Sequence, residues 1–296
     1  MSEMSSRDVL EREKLSIIDP QAQELLKSLD WIHLDGLTKN KSEYFPVAIT
    51  GEGPQVFLLH GFDSNFLEFR RIAPLLKKNY QLIIPDLFGF GFCPRSNRYK
   101  YDLKSIILHL SKTINSLSNK DSFGIIGASM GGAIAMEIAR QYPDKISRLF
   151  LLSPAGLTGR KTPVPNPLNK LGVWLLGLRI IRSNLCKQAF ANPLDNVGEA
   201  EVQISLLNTL IPGWGESLAL FARSGGVAGL GLPMPKTQLK VIWGENDKIL
   251  TELQKKESKQ ILGDRSEELK ECGHLPHLEK PEIIAKRWLS NSYFND

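Results

Sequence analysis

The sequence predicts an α/β fold: a mostly parallel β-sheet covered by helices on both faces and interrupted by a helical insertion. Three observations carry this prediction. Apolar runs of strand length alternate with segments of helical periodicity up to about residue 152, and the alternation resumes at residue 239. Between these stretches, residues 154–238 contain helical patterns and no convincing strand. Finally, the apolar run 123–128 passes directly into G-x-S-x-G centred on Ser129, followed by a small-residue helical pattern. That order is what a strand-to-helix elbow requires.

The elements follow in chain order. Asp19-Pro20 reads as the N-cap and first turn of a short helix, with Leu25, Leu26 and Leu29 on one face. Strand-like segments at 31–34 and 44–49 flank a polar loop. A buried strand at 56–59 precedes a helix over 65–78, and a strand at 81–85 precedes a helix over 103–117. The elbow strand 123–128 leads into a helix over 130–141, where Ile134 and Ile138 share a face, and 148–152 is the next strand. Pro163, Pro165 and Pro167 then punctuate a loop, and helical stretches follow at 168–181, 199–211 and 215–223. The rhythm returns with a strand at 239–243, a helix at 253–262, a strand at 268–270 and a helix at 281–291. Such alternation predicts parallel strands with helices on both faces.

At 296 residues the chain can bury an ample core in one large domain carrying an insertion. The expected division is a first part of the core at 1–153, with 1–30 as an N-terminal helical extension, a lid at 154–238, and a second part of the core at 239–296. With 42% hydrophobic and 23% charged residues, the composition is that of an ordinary globular protein rather than a disordered one. The net charge of +5 is spread out, with no run of five basic residues, so a nucleic-acid partner has no support. Three widely separated cysteines argue against a disulfide framework. The N-terminal segment mixes both charge signs without an apolar stretch, unlike a secretory signal. No apolar run approaches the roughly 18–20 residues that span a bilayer. A soluble, cytoplasmic protein is expected.

In an open α/β sheet, ligands sit at the C-terminal ends of the strands, so the residues delivered there are the candidates for chemistry. The strand ends deliver His60-Gly61-Phe62, then Asp86 with a glycine-rich turn, then Ser129, then Gly244-Glu245-Asn246-Asp247, and last Cys272-Gly273-His274. A serine hydroxyl is a weak nucleophile and needs a base within about 2.6–3.2 Å to take its proton. A histidine with an ordinary pKa near 6.5 accepts and returns a proton at neutral pH, and a carboxylate fixes its tautomer. The expected catalytic residues are therefore Ser129 as nucleophile, His274 as base then acid, and Asp247 as orienter. The backbone N–H of Met130, at a helix N-terminus, and that of Phe62 are the expected oxyanion donors.

Five blocks make the chain resemble the α/β-hydrolase superfamily over about residues 44–290. They are G-E-G-P-Q-V-F-L-L-H-G-F at 51–62, P-D-L-F-G-F-G at 85–91, G-A-S-M-G-G at 127–132, W-G-E-N-D-K-I at 243–249 and G-H-L-P-H-L-E-K-P at 273–281. The resemblance implies an eight-stranded sheet with a lid between the sixth and seventh strands. It also carries over Ser129, Asp247 and His274 as triad, and Phe62 and Met130 as oxyanion donors. Relatives with an Asp nucleophile, namely dehalogenases and epoxide hydrolases, are excluded by Ser129. The H-G-G-G-x loop of certain lipases is absent, because His60-Gly61 runs straight into Phe62. The sixth strand ends in Ser153-Pro154, which leaves Asp247 without an obvious rival acid.

Blander roles compete for some of these residues. Asp247 also suits a helix cap. His60 reads as a hydrogen-bonding support behind the oxyanion loop. His274 and His277 form H-x-x-H, yet no third residue has metal-ligand spacing. Cys93 and Cys272 read as small apolar fillers. The lid is rich in apolar residues, among them Leu171, Val173, Trp174, Leu175, Leu176, Leu178, Ile180 and Ile181. They either pack the lid onto the sheet or form an apolar substrate cavity. Arg160, Lys161, Arg179 and Arg182 are available to an acidic group or to a membrane surface touched peripherally by the lid.

The expected function is hydrolysis of a small to medium apolar carboxylic ester through an acyl-enzyme, with no cofactor and no metal. The alternatives are carbon–carbon bond hydrolysis of the meta-cleavage-product type, peracid formation or acyl transfer on the same residues, and a ligand-binding receptor with vestigial catalysis.

Overall fold

The computed structural model of the protein describes residues 4–37 and 43–295. Most of the polar loop expected between the first two strands therefore lies outside the described residues. Eight strands form one sheet: β1 (Leu29–His33), β2 (Tyr44–Thr50), β3 (Gln55–Leu59), β4 (Gln81–Pro85), β5 (Phe123–Ala128), β6 (Ile146–Leu152), β7 (Gln238–Gly244) and β8 (Ser266–Leu269). Their spatial order is β1-β2-β4-β3-β5-β6-β7-β8. β2 runs antiparallel to β1 and β4, and every later pairing is parallel.

The pleat sorts side chains between two cores, because successive residues of a strand face opposite sides. Phe57, Leu59, Ile125, Leu149, Leu151, Val241 and Trp243 enter one core. Val56, Leu58, Ile126, Ala128, Phe150, Leu152 and Ile242 enter the other. Strands buried on both faces read as continuous apolar runs, which is why they were legible without alternation.

The helices are α1 (Ser6–Glu13), α2 (Pro20–Leu26), α3 (Ala73–Leu76), α4 (Leu103–Leu117), α5 (Met130–Gln141), α6 (Leu168–Leu176), α7 (Arg179–Ala189), α8 (Pro193–Asn196), α9 (Glu199–Leu207), α10 (Trp214–Arg223), α11 (Glu252–Leu262), α12 (Pro276–Glu279), α13 (Pro281–Leu289) and α14 (Asn291–Asn295). The inserted segment between β6 and β7 thus carries α6 to α10. Among the described residues no helix is long and apolar enough to cross a membrane.

Three expectations need correction. The helix expected over 65–78 is a 3-10 turn, Phe66–Phe69, followed by the single turn α3. Pro74 has no N–H to give the carbonyl four residues back, so a continuous helix cannot form. Leu29 leaves the face of α2 and enters β1, where it pairs with Ala48. The stretch 168–181 breaks into α6 and α7, because Leu178 turns extended (φ −75°, ψ 127°) after Gly177. α1 lies within the expected N-terminal helical extension, which had no bounds for it, and Ser5 and Asp8 form a capping box at its start.

Candidate active site

Ser129 sits between β5 and α5 with φ 50° and ψ −121°, a conformation rare for any residue with a Cβ. The elbow is strapped on both sides of the serine. Its N–H donates to the Leu152 carbonyl at 2.9 Å, and its carbonyl accepts from Gly132 at 2.9 Å and Ala155 at 3.0 Å. The flanking glycines follow from the tightness of this turn. A Cβ on Gly131 would lie 2.1 Å from the Leu59 carbonyl oxygen, and one on Gly127 would lie 2.6 Å from that of Gly131.

His274 follows β8 and is held by its own N–H, which donates to the Ala189 carbonyl at 2.7 Å. Its Nε2 lies 2.9 Å from Ser129 Oγ and its Nδ1 lies 2.7 Å from Asp247 Oδ2. The other oxygen of Asp247 accepts from the N–H groups of Ile249 at 2.8 Å and Leu250 at 3.2 Å. Burial pushes the Asp247 carboxyl up, but the hydrogen bond and charge of His274, with those two N–H groups, outweigh it. The result is a carboxyl held below its ordinary range. Asp247 therefore caps the turn after β7 with one oxygen and orients His274 with the other. The cap and the contact with His274 coexist.

The loop after β3 brings Gly61 and Phe62 beside the serine. Neither the Phe62 nor the Met130 N–H has an acceptor among the described residues. His60 is fully buried: its Nδ1 donates to the Gly61 carbonyl at 2.8 Å, and its Nε2 accepts from Leu87 N–H at 2.9 Å. Burial lowers its pKa against the pull of Glu68, so a neutral ring supports the loop. His277 turns away from the site toward Glu68, with its Nε2 3.2 Å from a carboxylate oxygen. Burial pushes the Cys272 thiol up to about 12 and raises that of Cys93 as well, so both remain protonated thiols.

A cavity of about 280 Å³ opens over Ser129. Its apolar wall comes from the insertion and from the segment after His274, through Leu176, Leu185, Phe190, Ile204, Leu275 and, in α12, Leu278. Two arginines reach it, and both are engaged. Arg70 Nε donates to Asp19 at 2.7 Å and its Nη2 to Glu201 at 2.9 Å. Arg182 donates to the Leu176 carbonyl at 2.6 Å, the Ser205 carbonyl at 3.1 Å and the Asp63 carboxylate. The expectation that Arg182 is available to an acidic group is thus corrected. Arg179 is likewise paired, with Glu199.

No sequence signal marks Asp63. This residue has φ 49° and directly follows Phe62. One carboxylate oxygen takes Arg182, the other takes Trp214 Nε1 at 2.8 Å, and its carbonyl takes Asn208 Nδ2 at 2.7 Å. Every one of these partners belongs to the insertion. The Phe62 ring reaches the same segment, stacking on Phe221 of α10 with centroids 5.8 Å apart.

The strand order is that of the α/β-hydrolase fold, and comparison with known proteins agrees. Residues 54–185 match the family described as alpha/beta hydrolase fold. The chain has the α/β-hydrolase fold, and hydrolases are among its relatives. It is 28% identical over 244 residues to alpha/beta hydrolase domain-containing protein VTE7 of Arabidopsis thaliana, covering 78% of this chain and 72% of that one. A 117-residue stretch is 39% identical to lipase 3 of Moraxella sp., covering 39% of this chain and 36% of the lipase. A 111-residue stretch is 31% identical to 2-hydroxy-6-oxo-2,4-heptadienoate hydrolase of Pseudomonas putida, covering 36% and 40%. Both shorter matches span well under two thirds of those proteins.

Two solved structures share the fold. A putative lipase from Acinetobacter baumannii has a TM-score of 0.71 at 22% identity, over 98% of this chain and 96% of its own. A meta-cleavage product hydrolase from Pseudomonas fluorescens has a TM-score of 0.71 at 21% identity, over 90% and 97%.

Proposed function

We propose that the protein is a serine hydrolase that cleaves a small to medium apolar carboxylic ester through an acyl-enzyme. The observation that carries this reading is the hydrogen-bonded chain from Ser129 Oγ through His274 to Asp247, with links of 2.9 and 2.7 Å. As Ser129 Oγ attacks the ester carbonyl, its proton passes to His274 Nε2, and Asp247 stabilises the imidazolium. The carbonyl oxygen becomes an oxyanion that the N–H groups of Phe62 and Met130 receive. Collapse expels the alkoxide, which takes the proton from His274. Water, deprotonated by His274, then attacks the acyl-serine in the same way and releases the acid.

In this reading residues 154–238 act as a lid that shapes the cavity. A volume of about 280 Å³ lies just below the ~300–1,000 Å³ usual for small-molecule sites. Its walls are apolar and its arginines are spoken for. That favours a neutral ester over a carboxylate-bearing substrate, since a dienoate brought into the cavity would leave a charge unpaired. The meta-cleavage type of carbon–carbon hydrolysis has relatives in its favour and this electrostatic feature against it.

Turnover of a p-nitrophenyl ester series from acetate to decanoate, set against a dienoic diketone, tests the reading. Ester cleavage with a preference for short to medium chains is expected. Turnover of the dienoate alone would overturn the ester assignment.

A further inference from the structure

Helix α6 is apolar almost all the way round, yet only one side of it is covered. Asn169 and Val173 point inward and are buried. On the opposite side Leu168, Leu171, Trp174 and Leu175 stand exposed, at 59%, 53%, 61% and 40%. Spacings of three and four residues put these side chains on one stripe. Ile180, at the start of α7, adds to it with 69% exposure. A helix face of this kind on a water-facing surface marks a contact site.

Charge decides what kind of contact. The chain carries no aspartate or glutamate between Asp144 and Asp195, while Arg160, Lys161, Lys170 and Lys187 fall in that stretch beside the already paired Arg179 and Arg182. Lys170 and Arg223 line the cleft between α6 and α10 together with Trp174, where Glu216 is the one carboxylate. A Cβ on Gly225 would lie 2.9 Å from that of Lys161, so Lys161 lies against the turn just beyond Arg223. Arg160, Lys161, Lys170 and Arg223 form no ion pair among the described residues.

We infer that the exposed face of α6 and the start of α7 dock on an anionic lipid bilayer. Exposed leucines and isoleucine would enter the acyl boundary, the Trp174 indole suits the headgroup level, and the basic residues meet the negative surface. Leu176 at the end of the same helix lines the cavity over Ser129. Docking would therefore bring the cavity close to the bilayer, where an apolar ester concentrates.

Flotation of the full chain with vesicles tests this, using Ser129→Ala throughout so that the result does not depend on the catalytic reading. Binding to mixed phosphatidylglycerol–phosphatidylcholine vesicles is expected. It should exceed binding to pure phosphatidylcholine and should weaken as salt rises. Neutralising Lys170 or Arg223 (K170Q, R223Q) should weaken it roughly fivefold each. L171S/W174S should lower it at least tenfold, and the lipid-induced blue shift in tryptophan emission should vanish in W174F. With Ser129 restored, L171S/W174S should match the parent protein in turning over p-nitrophenyl acetate, which shows that it folds. No co-flotation with anionic vesicles, or binding that these variants leave unchanged, overturns the proposal. So does a dimer in sedimentation velocity that dissociates in L171S/W174S, because the face would then belong to a second copy.

Discussion

Asp63 in the loop after β3 and Arg182 in α7 form an ion pair across the joint between sheet and insertion, with side chains only 8% and 6% exposed. The pair ties the residue next to Phe62 directly to the wall of the cavity over Ser129. Burial raises the Asp63 carboxyl, and the charge of Arg182 with the hydrogen bond from Trp214 opposes that rise.

Removing one partner of a buried pair leaves the other charge uncompensated, which costs about 3–5 kcal/mol. Asp63→Ala and Arg182→Ala should each lower the unfolding free energy by about that amount in urea titration. The double variant should lose less than the sum. Additive losses would show that the pair does not act as a unit.

Asp247→Asn should keep the fold and lower kcat by about 10⁴, because the amide no longer favours the His274 tautomer that presents a free Nε2 to Ser129. Turnover within tenfold of the parent would mean that another acid orients the histidine.

The depressed Asp247 carboxyl also makes a prediction about acid. A group whose folded pKa lies below its unfolded value, about 3.9, contributes stability above that pH. The contribution is lost as pH falls through the folded value. Asp247→Asn should therefore flatten the fall in stability below about pH 4, measured by thermal melts at stepped pH. An identical slope in both proteins would show that the carboxyl is not stabilised by His274 in the fold.

Ser129 is held in a strained backbone conformation, and such strain costs on the order of 1–3 kcal/mol. Glycine relieves it and gives back part of the gain through its larger unfolded-state entropy. Ser129→Gly should be about 1 kcal/mol more stable than Ser129→Ala, both being inactive. Equal stabilities would mean that the elbow stores no strain.

Filling the cavity from the insertion side should narrow the substrate range. Ile204→Phe should reduce kcat/KM for the longest acyl esters by about 10–200-fold and leave acetate little changed. A uniform loss across the series would put the acyl chain elsewhere.

The parts of the molecule that were legible in sequence are those set by local backbone rules. Ser129 announces itself because its turn requires glycines at fixed offsets and an apolar strand before it. Asp247 and His274 are legible because a parallel sheet delivers its strand ends to one edge in chain order. The clasp between Asp63 and Arg182 was not legible, since its partners lie 119 residues apart and no periodicity links them. For the same reason Arg182 read as a free cation. Only the packing of α7 against the loop after β3 shows that its charge is already consumed. The broken helix at 65–78 had a visible cause in Pro74, which outweighed the apolar pattern around it.

The claim that Ser129 is an activated nucleophile is tested most directly by intact-mass measurement after exposure to a fluorophosphonate. The account predicts one adduct per chain, mapped to the peptide that contains Ser129. It also predicts no adduct in Ser129→Ala and a much slower reaction in His274→Ala. An unmodified parent protein, or an adduct that persists in Ser129→Ala, would contradict it.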